Sequence, residues 1–102
     1  MAKWVRVAGT DEVPVGEGKY FDVEGAPIAV FHVDDNFYAI SDVCTHEESS
    51  LAEGELDGDV VECALHGARF NVRTGQVMAL PAVVPVQTYP LRVIGSDIEV
   101  EV

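Results

Sequence analysis

A chain of 102 residues, 48% of them apolar, suffices for one domain with a modest core. No apolar run approaches the ~20 residues of a membrane span, and the opening Met1-Ala2-Lys3-Trp4-Val5-Arg6 has no apolar signal core, so no export is expected. The net charge of -12 sits between Tyr20 and Ala68, where there are twelve acids and no Lys or Arg; such a surface repels nucleic acid, and either keeps a β-protein soluble or steers it to a basic partner face.

Short β-branched and aromatic runs separated by turn residues predict an all-β fold. Val5 to Ala8 reads as the first strand and Tyr20 to Val23 as the second. Ile28 to Val33 and Phe37 to Ile40 read as a hairpin around Asp34-Asp35-Asn36. Ser41 to Glu48 is a candidate helical turn. Asp57-Gly58 is a tight-turn dipeptide between Glu55-Leu56 and the strand Asp59 to Cys63. Arg69 to Val72 and Gln76 to Met78 flank a turn at Arg73-Thr74-Gly75. Leu80 to Pro90, with three prolines, reads as a long extended loop. Leu91 to Ile94 and Ile98 to Val102 form the last hairpin, with Ile98, Val100 and Val102 on one face.

The chemistry is concentrated in two short pairs. The chain has two cysteines and three histidines, and four of these five fall in Cys44-Thr45-His46 and Cys63-Ala64-Leu65-His66, with sixteen residues between the pairs. Each pair follows a predicted strand, so two loops on a rigid scaffold present one thiolate and one imidazole each. A Cys44–Cys63 disulfide is disfavoured in a chain without an export signal. A Cys–His catalytic dyad explains one pair and leaves the other idle. Zinc takes two cysteines and two histidines, but its finger spacing groups the cysteines first and the histidines after. A two-iron cluster needs two protein ligands per iron, which Cys44 with Cys63 and His46 with His66 supply. His32, alone in a strand, is read as a structural or surface residue and not a ligand, and Trp4 as a core or hairpin-packing aromatic.

Cys-x-His, sixteen residues, then Cys-x-x-His resembles the signature of Rieske-type [2Fe-2S] proteins. The continuation Gly67-Ala68-Arg69-Phe70-Asn71, the Thr74-Gly75 turn and the proline-containing loop at Pro81 are similar to the same family. The likeness covers nearly the whole chain and is nearest to the small ferredoxins of bacterial ring-hydroxylating oxygenases. It implies an all-β Rieske domain of stacked antiparallel sheets spanning residues 1–102, with two cluster-binding loops at one end within about residues 41–82. It also implies Cys44, His46, Cys63 and His66 as ligands of one [2Fe-2S] cluster, with both histidines facing the partner. The function implied is electron transfer without catalysis: one electron from a flavoprotein NAD(P)H-dependent reductase to a terminal oxygenase. The expected carrier is a cytoplasmic monomer that engages no nucleic acid, membrane or small-molecule substrate. Two alternatives stay open: a Rieske-like small subunit of an enzyme such as assimilatory nitrite reductase, and a zinc-stabilised β-module that binds a protein.

Two imidazoles in place of two thiolates make the cluster shell less negative, which raises its potential above that of an all-cysteine cluster. The outer ring nitrogens can titrate, so the potential is expected to depend on pH. The chain departs from the high-potential respiratory members. Ser49 and Leu65 stand where those carry a loop-bracing disulfide. Ala68 and Phe70 stand where those carry a Ser and a Tyr that donate to sulfur. Without those donors the expected potential lies at the low end for such centres, roughly −150 mV. Glu47 and Glu48, beside His46, are candidate partner contacts. Gly67 is expected to permit a close backbone approach or a positive φ, and Pro81 to shield the cluster.

Overall fold

The computed structural model describes residues 3–44, 49–64, 67–79 and 84–102. Among them, eleven short strands pair into three antiparallel sheets. The first joins β1 (Trp4–Gly9), β11 (Asp97–Glu101) and β10 (Leu91–Ile94) in that order, bringing the two ends of the chain together. The second has the order β2 (Gly18–Val23), β3 (Ala26–Val33), β4 (Asn36–Ser41) and β9 (Thr88–Tyr89). The third runs β5 (Glu55–Asp57), β6 (Val60–Glu62), β7 (Arg69–Asn71) and β8 (Val77–Ala79). The all-β expectation is met.

The apolar run in β3 explains the layering. Ile28, Ala29, Val30 and Phe31 are all fully buried. Successive side chains on a strand point to opposite faces, and here they enter different cores. Ile28 and Val30 pack with Val13, Val23, Ala39, Ile98 and Val100 toward the first sheet. Ala29 and Phe31 pack with Ile40, Leu51, Val61, Phe70 and Val72 toward the third. The second sheet is thus the middle layer, apolar on both faces. Each fully buried Ile, Val or Phe side chain contributes roughly 1.5–3 kcal/mol of burial, so this strand ties both cores to one backbone.

Turn chemistry sets the hairpins. Asp34, with φ +53, turns β3 into β4, and Gly58, with φ +63, turns β5 into β6. The third sheet exposes Glu55 and Asp57 on β5, an edge strand, while Leu56 turns inward against the core. Carboxylates on an edge oppose pairing with another chain's strand, which accounts for part of the acidic surface. The six bases are all engaged in ion pairs: Lys3–Glu24, Arg6–Asp97, Lys19–Glu17, Arg69–Glu62, Arg73–Asp59 and Arg92–Glu99. Arg92 also lies over the Trp4 ring, 4.2 Å from its centroid, so Trp4 packs the first sheet as expected.

Three expectations change. Leu80 to Pro90 is not wholly a loop, because Thr88 and Tyr89 pair with Ile40 and Ala39 of β4. Ser41 is the last residue of β4 and Val43 forms a bridge to Ser50, so the described half of Ser41 to Glu48 is extended and not helical. Cys63 lies just past the end of β6 instead of inside it. Two short 3-10 turns, Thr10–Glu12 and Leu51–Glu53, have no counterpart in the sequence reading.

Candidate metal centre

The two cysteines occupy loops at the junction of the second and third sheets. The first loop leaves β4 and crosses to β5; the second joins β6 to β7. Both thiols are 2% exposed and belong to the same core cluster, with Leu51, Val61, Ala68 and Phe70. They are not disulfide-bonded to each other. His46 and His66 lie outside the described residues, as do Glu47, Glu48, Leu65 and the Pro81 segment. Among the described residues no group of three or more His, Cys, Asp or Glu stands ready to hold a metal. The structure therefore brings together the two sulfur members of the predicted set.

The loops close in the same way. The Cys44 N–H donates to the Ser49 carbonyl at 3.0 Å, and the Cys63 N–H donates to the Ala68 carbonyl at 2.7 Å. Each closure joins residues five positions apart in the chain. The second is tightened by the Gly67 N–H donating to the Cys63 carbonyl at 3.1 Å. Gly67 has φ +74, a left-handed conformation that suits glycine, so its expected conformational role is present.

Asp42 anchors the first loop. It is only 5% exposed, and its Oδ1 accepts from the Ser50 hydroxyl and from the Ala52 N–H, each at 2.9 Å. Its backbone N–H donates to Pro27 O at 2.9 Å and its carbonyl accepts from the Leu51 N–H at 2.7 Å. A buried carboxylate is tolerated where hydrogen bonds replace its water. Asp42 thus fixes residues 50–52 against the end of β3, and with them the far end of the Cys44 loop. Asp42 is not among the site residues expected from the sequence. The signal available was an acid at the end of a β-run, two positions before Cys44.

A second omission corrects an expectation. Ala68 and Phe70 are both fully buried and have no side-chain donor, as expected. However, a ligand-candidate sulfur does have a side-chain partner: the Ser49 hydroxyl lies 2.9 Å from Cys63 Sγ. Alignment on the ligand spacing marks Ser49 only as a position that excludes a disulfide. His32 behaves as read: its Nδ1 lies 2.7 Å from the Val13 carbonyl and its ring stacks on Phe37 at 4.0 Å between centroids.

The donor set fits an iron–sulfur group. Two buried thiols in closed loops are soft ligands shielded from water, and the remaining donors in the sequence motif are two imidazoles. Comparison with known proteins agrees. The model of the Rieske [2Fe-2S] domain matches residues 3–90. The biphenyl dioxygenase ferredoxin subunit of Pseudomonas sp. strain KKS102 is 46% identical over 99 residues, covering 96% of this chain and 91% of that protein. Among solved structures, the ferredoxin of carbazole 1,9a-dioxygenase from Nocardioides aromaticivorans IC177 superposes with a TM-score of 0.92 at 42% identity, covering 96% of each chain. A ferredoxin solved in complex with the oxygenase of carbazole 1,9a-dioxygenase gives 0.90 at 41% identity, covering 95% of this chain and 91% of that one. The chain therefore belongs to the Rieske [2Fe-2S] family: it is an electron-transfer ferredoxin, not an enzyme, and its cofactor is a Rieske-type cluster.

Proposed function

We propose that Cys44 and Cys63 ligate one iron and His46 and His66 the other. In this reading the chain accepts one electron from a flavoprotein NAD(P)H-dependent reductase and delivers it to a terminal, aromatic-ring-hydroxylating oxygenase. Residues 1–102 act as one domain, with the cluster-binding portion at about residues 41–82, as a monomer in the cytoplasm. The observation that carries the ligand assignment is the burial of both thiols in one core cluster, in loops with identical backbone closures. When bound, the cluster supplies a single one-electron site. The chain's own residues exclude water from the sulfurs, fix the two loops against each other, and present a surface for docking. Val43, adjacent to buried Cys44, is 40% exposed and gives that surface an apolar element. No helix of the described residues is long and apolar enough to cross a membrane. The partner class is supported by the relatives, which are ferredoxins of biphenyl and carbazole dioxygenases.

The purified protein tests the assignment. It is expected to be brown-red, to contain about two irons per chain, and on reduction to give an anisotropic EPR signal of low average g value. Cys63→Ala and His66→Ala are each expected to lose the iron and the colour. A colourless, zinc-containing protein would sink the electron-carrier reading in favour of a zinc-stabilised module. Reconstitution with purified reductase and oxygenase tests the partners: NAD(P)H-driven turnover of the oxygenase must depend on this chain.

A further inference from the structure

Ser49 touches both cysteines at once. Its carbonyl accepts the Cys44 N–H at 3.0 Å, and its hydroxyl lies 2.9 Å from Cys63 Sγ on the other loop. The residue is half-buried and held from both sides. The next residue, Ser50, bridges to Val43 and donates its hydroxyl to the buried Asp42 carboxylate. The hydroxyl therefore lies at the sulfur because the loop frame places it there.

We infer that Ser49 is a positioning residue whose hydroxyl donates across the loops to the Cys63 sulfur and raises the reduction potential of the centre, a role that depends on Cys63 being a ligand as proposed above. A thiolate bound to iron has no proton, so only the serine can donate. A hydrogen bond to a sulfur strengthens as that sulfur gains electron density, and so favours the reduced state. Ala68 and Phe70, the residues at which family members of high potential place their donors, have none to give. Ser49 supplies one from the opposite loop. It does so at the position where the respiratory proteins carry a bracing cysteine, so a hydrogen bond to a ligand joins the loops in place of a covalent bridge.

The test is a redox titration of the holoprotein followed by EPR, on wild type, Ser49→Ala, Ser49→Thr and Ser49→Val. Removing the hydroxyl is expected to shift the reduced-to-oxidised ratio at fixed potential about tenfold toward oxidised, a midpoint lowered by about 59 mV for one electron. Ser49→Thr, which keeps the hydroxyl, is expected to stay near wild type, while Ser49→Val, of the same shape, falls with Ser49→Ala. A midpoint unmoved in the apolar variants, or a Thr variant as low as the Val variant, would overturn the role. Should neither apolar variant assemble a cluster, the wild-type protein still decides. On transfer from H2O to D2O an iron–thiolate stretching band is expected to shift in its resonance Raman spectrum and in that of Ser49→Thr; no shift overturns the hydroxyl donor. A colourless wild-type protein overturns the ligand assignment itself, whereas a coloured one whose potential ignores Ser49 overturns only the tuning.

Discussion

The two cysteine loops share one backbone closure but are held in place by different means. The Cys63 loop is the tip of a hairpin. Its flanks are fixed by the sheet register Val61↔Phe70 and Glu62↔Arg69, and by the Gly67 turn onto the Cys63 carbonyl. The Cys44 loop is a crossover between two sheets and has no ladder on both flanks. Among the described residues its bridge is Val43↔Ser50, and its far end is held by Asp42, through the Leu51 N–H on the Asp42 carbonyl and through the Asp42 carboxylate. One loop has sheet backbone on both flanks; the other adds a buried carboxylate to its backbone closures. The first design tolerates side-chain substitution; the second concentrates its stability in one residue.

The largest effect is therefore expected at Asp42. Asp42→Ala leaves the Ser50 hydroxyl and the Ala52 N–H without their acceptor in a nearly closed site. Hydrogen bonds to a charged acceptor contribute about 1.5–3 kcal/mol, and buried donors left unpaired add to the loss. A cost of about 3 kcal/mol corresponds to roughly 15 °C in a domain of this size. The measurement is the temperature at which the visible absorbance of the holoprotein bleaches. Asp42→Asn retains an acceptor oxygen and is expected to lose about half as much. A bleaching temperature within 2–3 °C of wild type for Asp42→Ala would show that the Cys44 loop does not depend on this carboxylate.

Glycines separate conformational strain from collision, and they come next in size. A Cβ on Gly75 would stand 2.2 Å from the Val86 carbonyl oxygen, and the residue has φ +78. The Gly75 carbonyl also accepts the Val86 N–H at 2.9 Å, which returns the chain toward β9. Gly75→Ala must therefore displace backbone, with an expected loss of about 2–3 kcal/mol. At Gly67 the nearest atom to a new Cβ is Glu62 Oε2 at 3.6 Å, so only the left-handed φ opposes a side chain. That strain is about 1 kcal/mol. Gly67→Asn should recover part of it, whereas Gly75→Asn should not. Equal losses at the two positions would mean that the hairpin tip is as crowded as the Gly75–Val86 contact.

Turn chemistry is what made the fold legible in the sequence. Asp34-Asp35-Asn36, Asp57-Gly58, Arg73-Thr74-Gly75 and Gly95-Ser96 are local signals, and each sits between strands that pair in the structure. Strand Thr88–Tyr89 is two residues long and follows a proline-rich stretch, so nothing local marks it; its pairing with Ala39 and Ile40 exists only once β4 is in place. The site divides along the same line. The cysteines were legible because ligand spacing is written along the chain. Asp42 and Ser49 were not, because what they do depends on tertiary closure: a carboxylate folded under residues 50–52, and a hydroxyl brought to a sulfur fourteen residues away. His46 and His66, equally legible by spacing, lie outside the described residues and rest on the motif and the family.

The smallest effect is expected at the Glu62–Arg69 ion pair, which flanks the Cys63 loop. Arg69 Nε lies 3.1 Å from Glu62 Oε2, with the two side chains 55% and 39% exposed. Exposed pairs of this kind contribute between zero and about 1 kcal/mol and are screened by salt. Across the sheet, Glu62 also faces Glu55 on β5, so Arg69 offsets a repulsion between like charges as well as making a bond. Arg69→Ala is therefore expected to cost about 0.5 kcal/mol at low ionic strength, a few degrees in bleaching temperature, and nothing measurable in 0.5 M NaCl. Glu55→Gln in the same background should restore the low-salt value by removing the repulsion. A loss that persists in high salt would be a packing effect of the arginine stem. It would place the arginine side chain among the supports of the second loop, and the contrast with the Asp42-anchored loop would narrow accordingly.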